Sequence, residues 1–145
     1  MTQRRSDLVL DACVALAWAF REEEHDEAVQ AALHDLQGRD LHAPGLWTVE
    51  VLGGLLVGER RGRLRPDESD LFLALLTGLD VRLDHRSSSL AFGPLKELAR
   101  RHELRSKDAC YLELALRRRA LLATVDRRLD EAAASVGLSY FRRAG

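Results

Sequence analysis

The chain has 145 residues, 46% of them apolar and 31% charged, with 22 basic against 23 acidic side chains. That length suits a single domain spanning residues 1–145, the charged fraction is that of a globular surface rather than a disordered chain, and the near-neutral charge leaves no strong nucleic-acid footprint. No apolar run approaches bilayer length, and Met1-Thr2-Gln3-Arg4-Arg5-Ser6 carries no signal-peptide core, so the expectation is a cytoplasmic protein with no membrane segment. Cys13 and Cys110 are too few for a disulfide framework and are not spaced as zinc ligands; both are expected to be small buried thiols, with a redox role as the lesser alternative because each lies two residues after an aspartate.

In chain order, Leu8-Val9-Leu10 is a short buried strand ended by Asp11. Ala28, Ala32 and Leu36, flanked by Val29 and Leu33, repeat at helical spacing until Gly38. Leu41-His42-Ala43 is a second strand, closed by Pro44-Gly45. A helix then runs from about Leu46 to Arg61, with Gly62 as its cap. Pro66 opens another, with Asp67, Glu68 and Asp70 in its first turn and Leu71, Phe72, Leu75 and Leu76 on its apolar side. Val81 and Leu83 alternate with charged residues as a marginal third strand.

Leu95, Leu98 and Ala99 mark a helix that Gly93-Pro94 either begins or kinks. Ser106 is read as the N-cap of a helix to about Arg118. Ala120 to Thr124 is a fourth strand, a last short helix leads to Gly137, and Leu138 to Phe141 is a candidate closing strand. This alternation predicts an α/β three-layer sandwich around a parallel sheet of four to five strands. Arg60-Arg61 and Arg117-Arg118-Arg119 fall in last turns of helices, where cations suit the helix dipole. Gly54 and Gly58, four apart, are read as allowing close helix packing. Trp18 and Trp47 are expected to be core or interface aromatics, and the five histidines show no ligand spacing.

Ligands of an open parallel sheet bind beyond the carboxyl ends of its strands. Asp11 ends strand one, Asp126 follows strand four, Asp108 lies in the first turn of the helix beginning near Ser106, and Glu50 lies one turn into the helix after strand two. Asp7 begins strand one and is at the wrong edge; Asp84 ends strand three and competes with the four unless that strand is at the sheet margin. Clustered carboxylates raise one another's pKa unless a cation sits among them. Oxygen donors alone suit a hard ion, Mg2+ or Mn2+, able to activate water against a phosphodiester.

The blocks around these acids carry a family likeness. Leu8-Val-Leu-Asp11-Ala-Cys-Val-Ala-Leu16, Ala43-Pro-Gly-Leu-Trp-Thr-Val-Glu50-Val, Asp108-Ala-Cys-Tyr-Leu-Glu-Leu-Ala115 and Leu122-Ala-Thr-Val-Asp126-Arg-Arg-Leu129 together resemble PIN-domain proteins, and within that group the VapC toxins of bacterial toxin–antitoxin pairs. The resemblance implies an Mg2+- or Mn2+-dependent endoribonuclease with Asp11, Glu50 and Asp108 as metal ligands. Asp126 would hold the ion through water, and Thr124 would be a polar support behind the ligands. It also implies an RNA substrate, a homodimer, and a cognate antitoxin whose tail blocks the site. Three positions depart from the family pattern: Cys13 where Ser or Asn is usual, Gly53 where Asn is frequent, and Lys107 beside the third aspartate.

Two other functions compete. A PIN-fold binding module with weak or lost nuclease activity would follow if those three changes disable the site. A phosphoacceptor enzyme or receiver has similar layers, but a dehalogenase-type phosphatase needs an acid where Cys13 stands, and a receiver needs an acid pair after strand one.

Overall fold

Leu8, Val9 and Leu10 are all fully buried, as a strand covered on both faces must be. The computed structural model describes residues 7–20, 27–36 and 38–142, so the Met1–Ser6 segment lies outside the described residues. Among these the chain runs β1 (Leu8–Leu10), α1 (Ala12–Ala19), α2 (Glu27–Asp35), β2 (Leu41–Pro44), α3 (Trp47–Arg60), α4 (Pro66–Leu76), β3 (Arg82–Asp84), α5 (Ser87–Leu90), α6 (Lys96–His102), α7 (Ser106–Arg118), β4 (Leu121–Ala123) and α8 (Arg127–Ser135).

The strands form one sheet in the order β3-β2-β1-β4, parallel throughout. Leu8 sits between Leu41 and Leu121, and Leu10 faces Ala123, so β1 and β4 end level with one another. One layer is built by α7, which crosses β1, β2 and β4 and carries α6. In the other, α1 packs against α3, with α2 and α4 alongside. The closing segment is less than a strand: Ser139 makes one parallel bridge to Leu122, whose N–H donates to Leu138 O at 2.7 Å.

Several local expectations need correction. Helix α1 directly follows Asp11 and has no counterpart in the periodicity reading. Its sequence, Ala-Cys-Val-Ala-Leu-Ala-Trp-Ala, is apolar on every side, so there is no polar face to betray a helical period. The cap of α7 is Arg105 rather than Ser106. Gly93-Pro94 neither starts a helix nor simply kinks one: α5 and α6 are joined by a π-helical turn, Ala91–Leu95, whose wider ring accommodates a residue with no N–H. The apolar side of α4 also divides, with Leu76 buried and Leu71 and Leu75 facing outward.

The two aromatic expectations hold. Trp47 is buried, and half-buried Trp18 donates its indole N–H to Val29 O at 3.0 Å. The glycine pair does set the α1–α3 approach. A Cβ at Gly54 would run into the Leu16 side chain, and one at Gly58 would lie 2.5 Å from the ring of buried Phe20. Arg63 stacks its guanidinium 4.2 Å from that ring's centre, holding it in place. Gly53, one position before the pair, has open space where a Cβ would be.

Neighbouring glycines on one helix therefore respond with opposite sign. Gly58→Ala is expected to destabilise the fold by about 1–3 kcal/mol through overpacking. Gly53→Ala is expected to stabilise it by about 0.5–1 kcal/mol through helix propensity. Urea or thermal unfolding of the two variants is the check.

Candidate active site

Two of the four site acids cap helices at the carboxyl ends of strands, Asp11 directly after β1 and Asp126 three residues past β4. The Asp11 N–H still pairs with Ala123 O at 3.0 Å, while its carboxylate turns to cap α1, Oδ1 accepting the Cys13 N–H at 3.4 Å. One step along the neighbouring strand, Thr124 is buried with its hydroxyl donating to Asp11 Oδ2 at 2.7 Å. Thr124 Oγ1 in turn accepts the Asp126 N–H at 3.1 Å. Asp126 caps α8, accepting from the Leu129 N–H at 2.9 Å. Thr124 thus ties the first acid to the last.

The other two acids come from helices that begin near this edge. Asp108 is buried in the first turn of α7, and Glu50 sits in the first turn of α3. Tyr111, one turn beyond Asp108, is fully buried and donates its hydroxyl to Glu50 Oε1 at 2.8 Å. Asp11, Glu50, Asp108 and Asp126 line one cavity of about 320 Å³, together with Cys13, Arg105 and Lys107. The sequence-predicted set is therefore brought together, with Thr124 supporting it from below.

Two excluded or competing acids are elsewhere. Asp84 ends β3 at the sheet margin, where Arg117 grips it at 2.6 and 3.0 Å while also bonding Glu113. Asp7 lies 3.7 Å from Arg118, at the far end of α7 from Asp108. Asp130, a further buried acid, is satisfied by Ser139 and Arg142, each at 2.6 Å.

Sequence reasoning missed Tyr111 and Arg105, both three residues from Asp108 and so on its helix face or just ahead of it. That spacing was the available signal. Arg105 donates to Asp108 Oδ2 at 3.1 Å and reaches to 3.6 Å from Asp126, while Lys107 donates to Glu50 Oε2 at 3.3 Å. Three of the four carboxylates thus hold a cation of the chain itself. Asp11 does not: among the described residues no basic side chain pairs with it. Burial pushes its pKa above the ordinary carboxylate range, more than its hydrogen bonds from Thr124 and Cys13 pull it down.

The neighbouring thiol is quiet. Burial and the Asp11 charge push Cys13 up to about 12, so at neutral pH it is a thiol packed on Thr124 rather than a nucleophile. Tyr111 is likewise driven upward by burial and by the nearby carboxylates, which keeps its proton available for Glu50.

This donor set suits a hard divalent ion. Its donor atoms are oxygens, and Asp11 is a buried carboxylate with which, among the described residues, no basic side chain pairs. Among the described residues no three acid, histidine or cysteine groups converge tightly enough to ligate one ion as they stand. Tight coordination requires Arg105 and Lys107 to give up their carboxylate oxygens. Both can do so, being 66% and 47% exposed on flexible stems.

The PIN domain family matches residues 8–135, a span that includes all four acids. The chain belongs to the PIN domain family. It is 34% identical to Ribonuclease VapC3 of Pyrobaculum aerophilum over 124 residues, covering 86% of this chain and 92% of that one. The crystal structure of PAE2754 from the same organism shares the fold, with a TM-score of 0.64 at 20% identity over 88% of this chain and 79% of that one.

Two outcomes follow from these contacts. Arg105→Ala is expected to tighten Mn2+ binding roughly two- to fivefold, the scale of an exposed ion pair removed from competition, as read by calorimetry. Asp84 is held at about 2 by Arg117, below its ordinary 3.8, so its contribution is present above the ordinary value and lost as pH falls toward 2. Asp84→Asn should therefore cost about 1 kcal/mol at neutral pH, with the deficit closing between pH 4 and pH 2 in unfolding titrations.

Proposed function

We propose that this PIN-domain protein is a divalent-metal-dependent endoribonuclease, the toxin of a toxin–antitoxin pair, with Asp11, Glu50 and Asp108 as ligands of Mg2+ or Mn2+ and Asp126 acting through water. The single observation that carries the reading is the convergence of these four acids on one cavity at the carboxyl edge of the sheet. The relationship to a protein named Ribonuclease VapC3 supports the same substrate class.

The reaction is hydrolysis of an RNA phosphodiester: a water oxygen bonds phosphorus, the bond to one ribose oxygen breaks, and the departing oxygen takes a proton. A bound divalent ion would supply a more acidic water and positive charge for the phosphoryl oxygens. The chain's own residues do the positioning. Thr124 fixes the rotamer of Asp11, and Tyr111 fixes that of Glu50, so neither carboxylate must reorganise when charge develops nearby. Arg105 and Lys107, at the rim, are placed to neutralise an incoming phosphate backbone once they leave the acids.

A cognate antitoxin, a homodimer and a cytoplasmic location belong to this reading. Leu71 and Leu75 of α4, 64% and 68% exposed, and Val49 and Leu52 of α3 give an apolar face of the kind protein partners cover. Among the described residues, no helix is long and apolar enough to cross a membrane.

Purified protein with Mn2+ should cleave single-stranded RNA and stop on chelation. Asp11→Asn and Asp108→Asn should abolish the cut, and Thr124→Val should slow it by roughly 10- to 100-fold. If the unsubstituted protein leaves every RNA intact with either ion, the binding-module reading replaces this one.

A further inference from the structure

Seven of the chain's eight aromatic side chains are buried or half-buried; Phe92 is 92% exposed. It stands on the π-helical turn Ala91–Leu95, a type of turn that recurs at functional sites because it re-aims a side chain out of the helical register. Beneath it, Leu95 joins Ala109 and Cys110 in a small apolar cluster separate from the main core. Phe92 therefore projects from a supported base rather than from a loose loop.

This ring borders a groove of about 500 Å³. Lys96 and Lys107 line it, as do the hydroxyl-bearing Ser87 and Ser88, and no carboxylate does. Lys107 also lines the carboxylate cavity, so the two spaces adjoin through one side chain. An exposed aromatic face flanked by cations and hydroxyls matches an unstacked base and its phosphates: the ring stacks on the base, and the lysines attract the backbone.

We infer that the Phe92 groove is a nucleotide subsite for single-stranded RNA, holding a base next to the bond cut in the carboxylate cavity. The inference rests on the ribonuclease reading for its substrate. Phe92 stacks one base, Lys107 meets the phosphate between groove and cavity, and Lys96 meets the next phosphate outward. Stacking makes the subsite tolerant of base identity and selective for unpaired RNA, because a base inside a duplex presents no free face.

The test is fluorescence anisotropy of a short labelled single-stranded RNA, in Mg2+, with Asp108→Asn present throughout to prevent turnover. In that background Phe92→Ala should weaken binding about tenfold or more, the scale of one stacked base, while Phe92→Trp should retain it. Lys96→Ala should flatten the salt dependence by about one phosphate contact. Val136→Ala, an exposed apolar truncation at the C-terminal end of α8, should change nothing. Equal binding by the Phe92→Ala and parent proteins overturns the subsite; RNA cleavage by the unsubstituted chain would then leave the ribonuclease reading standing. A Phe92→Ala protein that binds RNA normally but changes its sedimentation makes the groove a contact between copies, which also overturns it. Failure of the unsubstituted chain both to bind and to cut RNA ends both.

Discussion

The hydrogen bond from Thr124 to Asp11 joins the neighbouring strands β1 and β4 at their carboxyl ends, just ahead of the helix that each leads into. Everything at the site depends on that coincidence. Parallel pairing brings β1 and β4 to an end at the same level, and each leads into a helix, β1 at the next residue and β4 after Thr124 and Val125. A helix start needs an acceptor for its free N–H groups, and aspartate is a strong one. Asp11 and Asp126 meet this need, so two negative charges are set side by side by backbone geometry before any chemistry is asked of them. The threonine between them satisfies a buried carboxylate oxygen with one side of its hydroxyl and a backbone N–H with the other.

Such an arrangement is electrostatically unfinished. Glu50, Asp108 and Asp126 are matched by Lys107 and Arg105, but among the described residues Asp11 has hydrogen bonds alone, and burial moves its pKa upward. A buried carboxylate without a counter-charge is a standing cost to folding, and proteins keep such costs where function uses them. The surrounding core is otherwise conventional: the buried strand residues pack between two helical layers, and the tight α1–α3 approach over Gly54 and Gly58 sets the wall of the cavity through Leu16.

Much of this was legible from the sequence because the signals were local. The position of Asp11 at the end of one strand and of Asp126 just past another, the first-turn position of Asp108 and the order of layers all follow from short apolar runs and the rule that ligands gather at the carboxyl edge. Asp84 could be set aside only conditionally, since strand order is a tertiary fact; its place on the margin, locked by Arg117, resolves it. Helix α1 was invisible because a helix buried on every side has no amphipathic period. The cap at Arg105 was overlooked because serine is the commoner cap, and with it the arginine that reaches two of the acids. Tyr111 was read as one letter of a motif rather than as the group that orients Glu50 across more than sixty residues of chain.

The contacts around the four acids fall into two kinds, and the difference has a mechanical meaning. Those that set direction are made by buried groups that have no freedom to leave: Thr124 on Asp11 and Tyr111 on Glu50. Those that set charge are made by Arg105 and Lys107, long and largely solvated, whose ion pairs are weak and easily exchanged. Orientation is therefore fixed in the fold, while neutralisation is left to whichever cation arrives. A site built the other way, with rigid cations and loose carboxylates, would bind its own arginine permanently and have no use for a metal ion or a phosphate. Here the fold holds the acids still and lets the counter-charges move, which is the division of labour that in-line cleavage of a charged polymer requires.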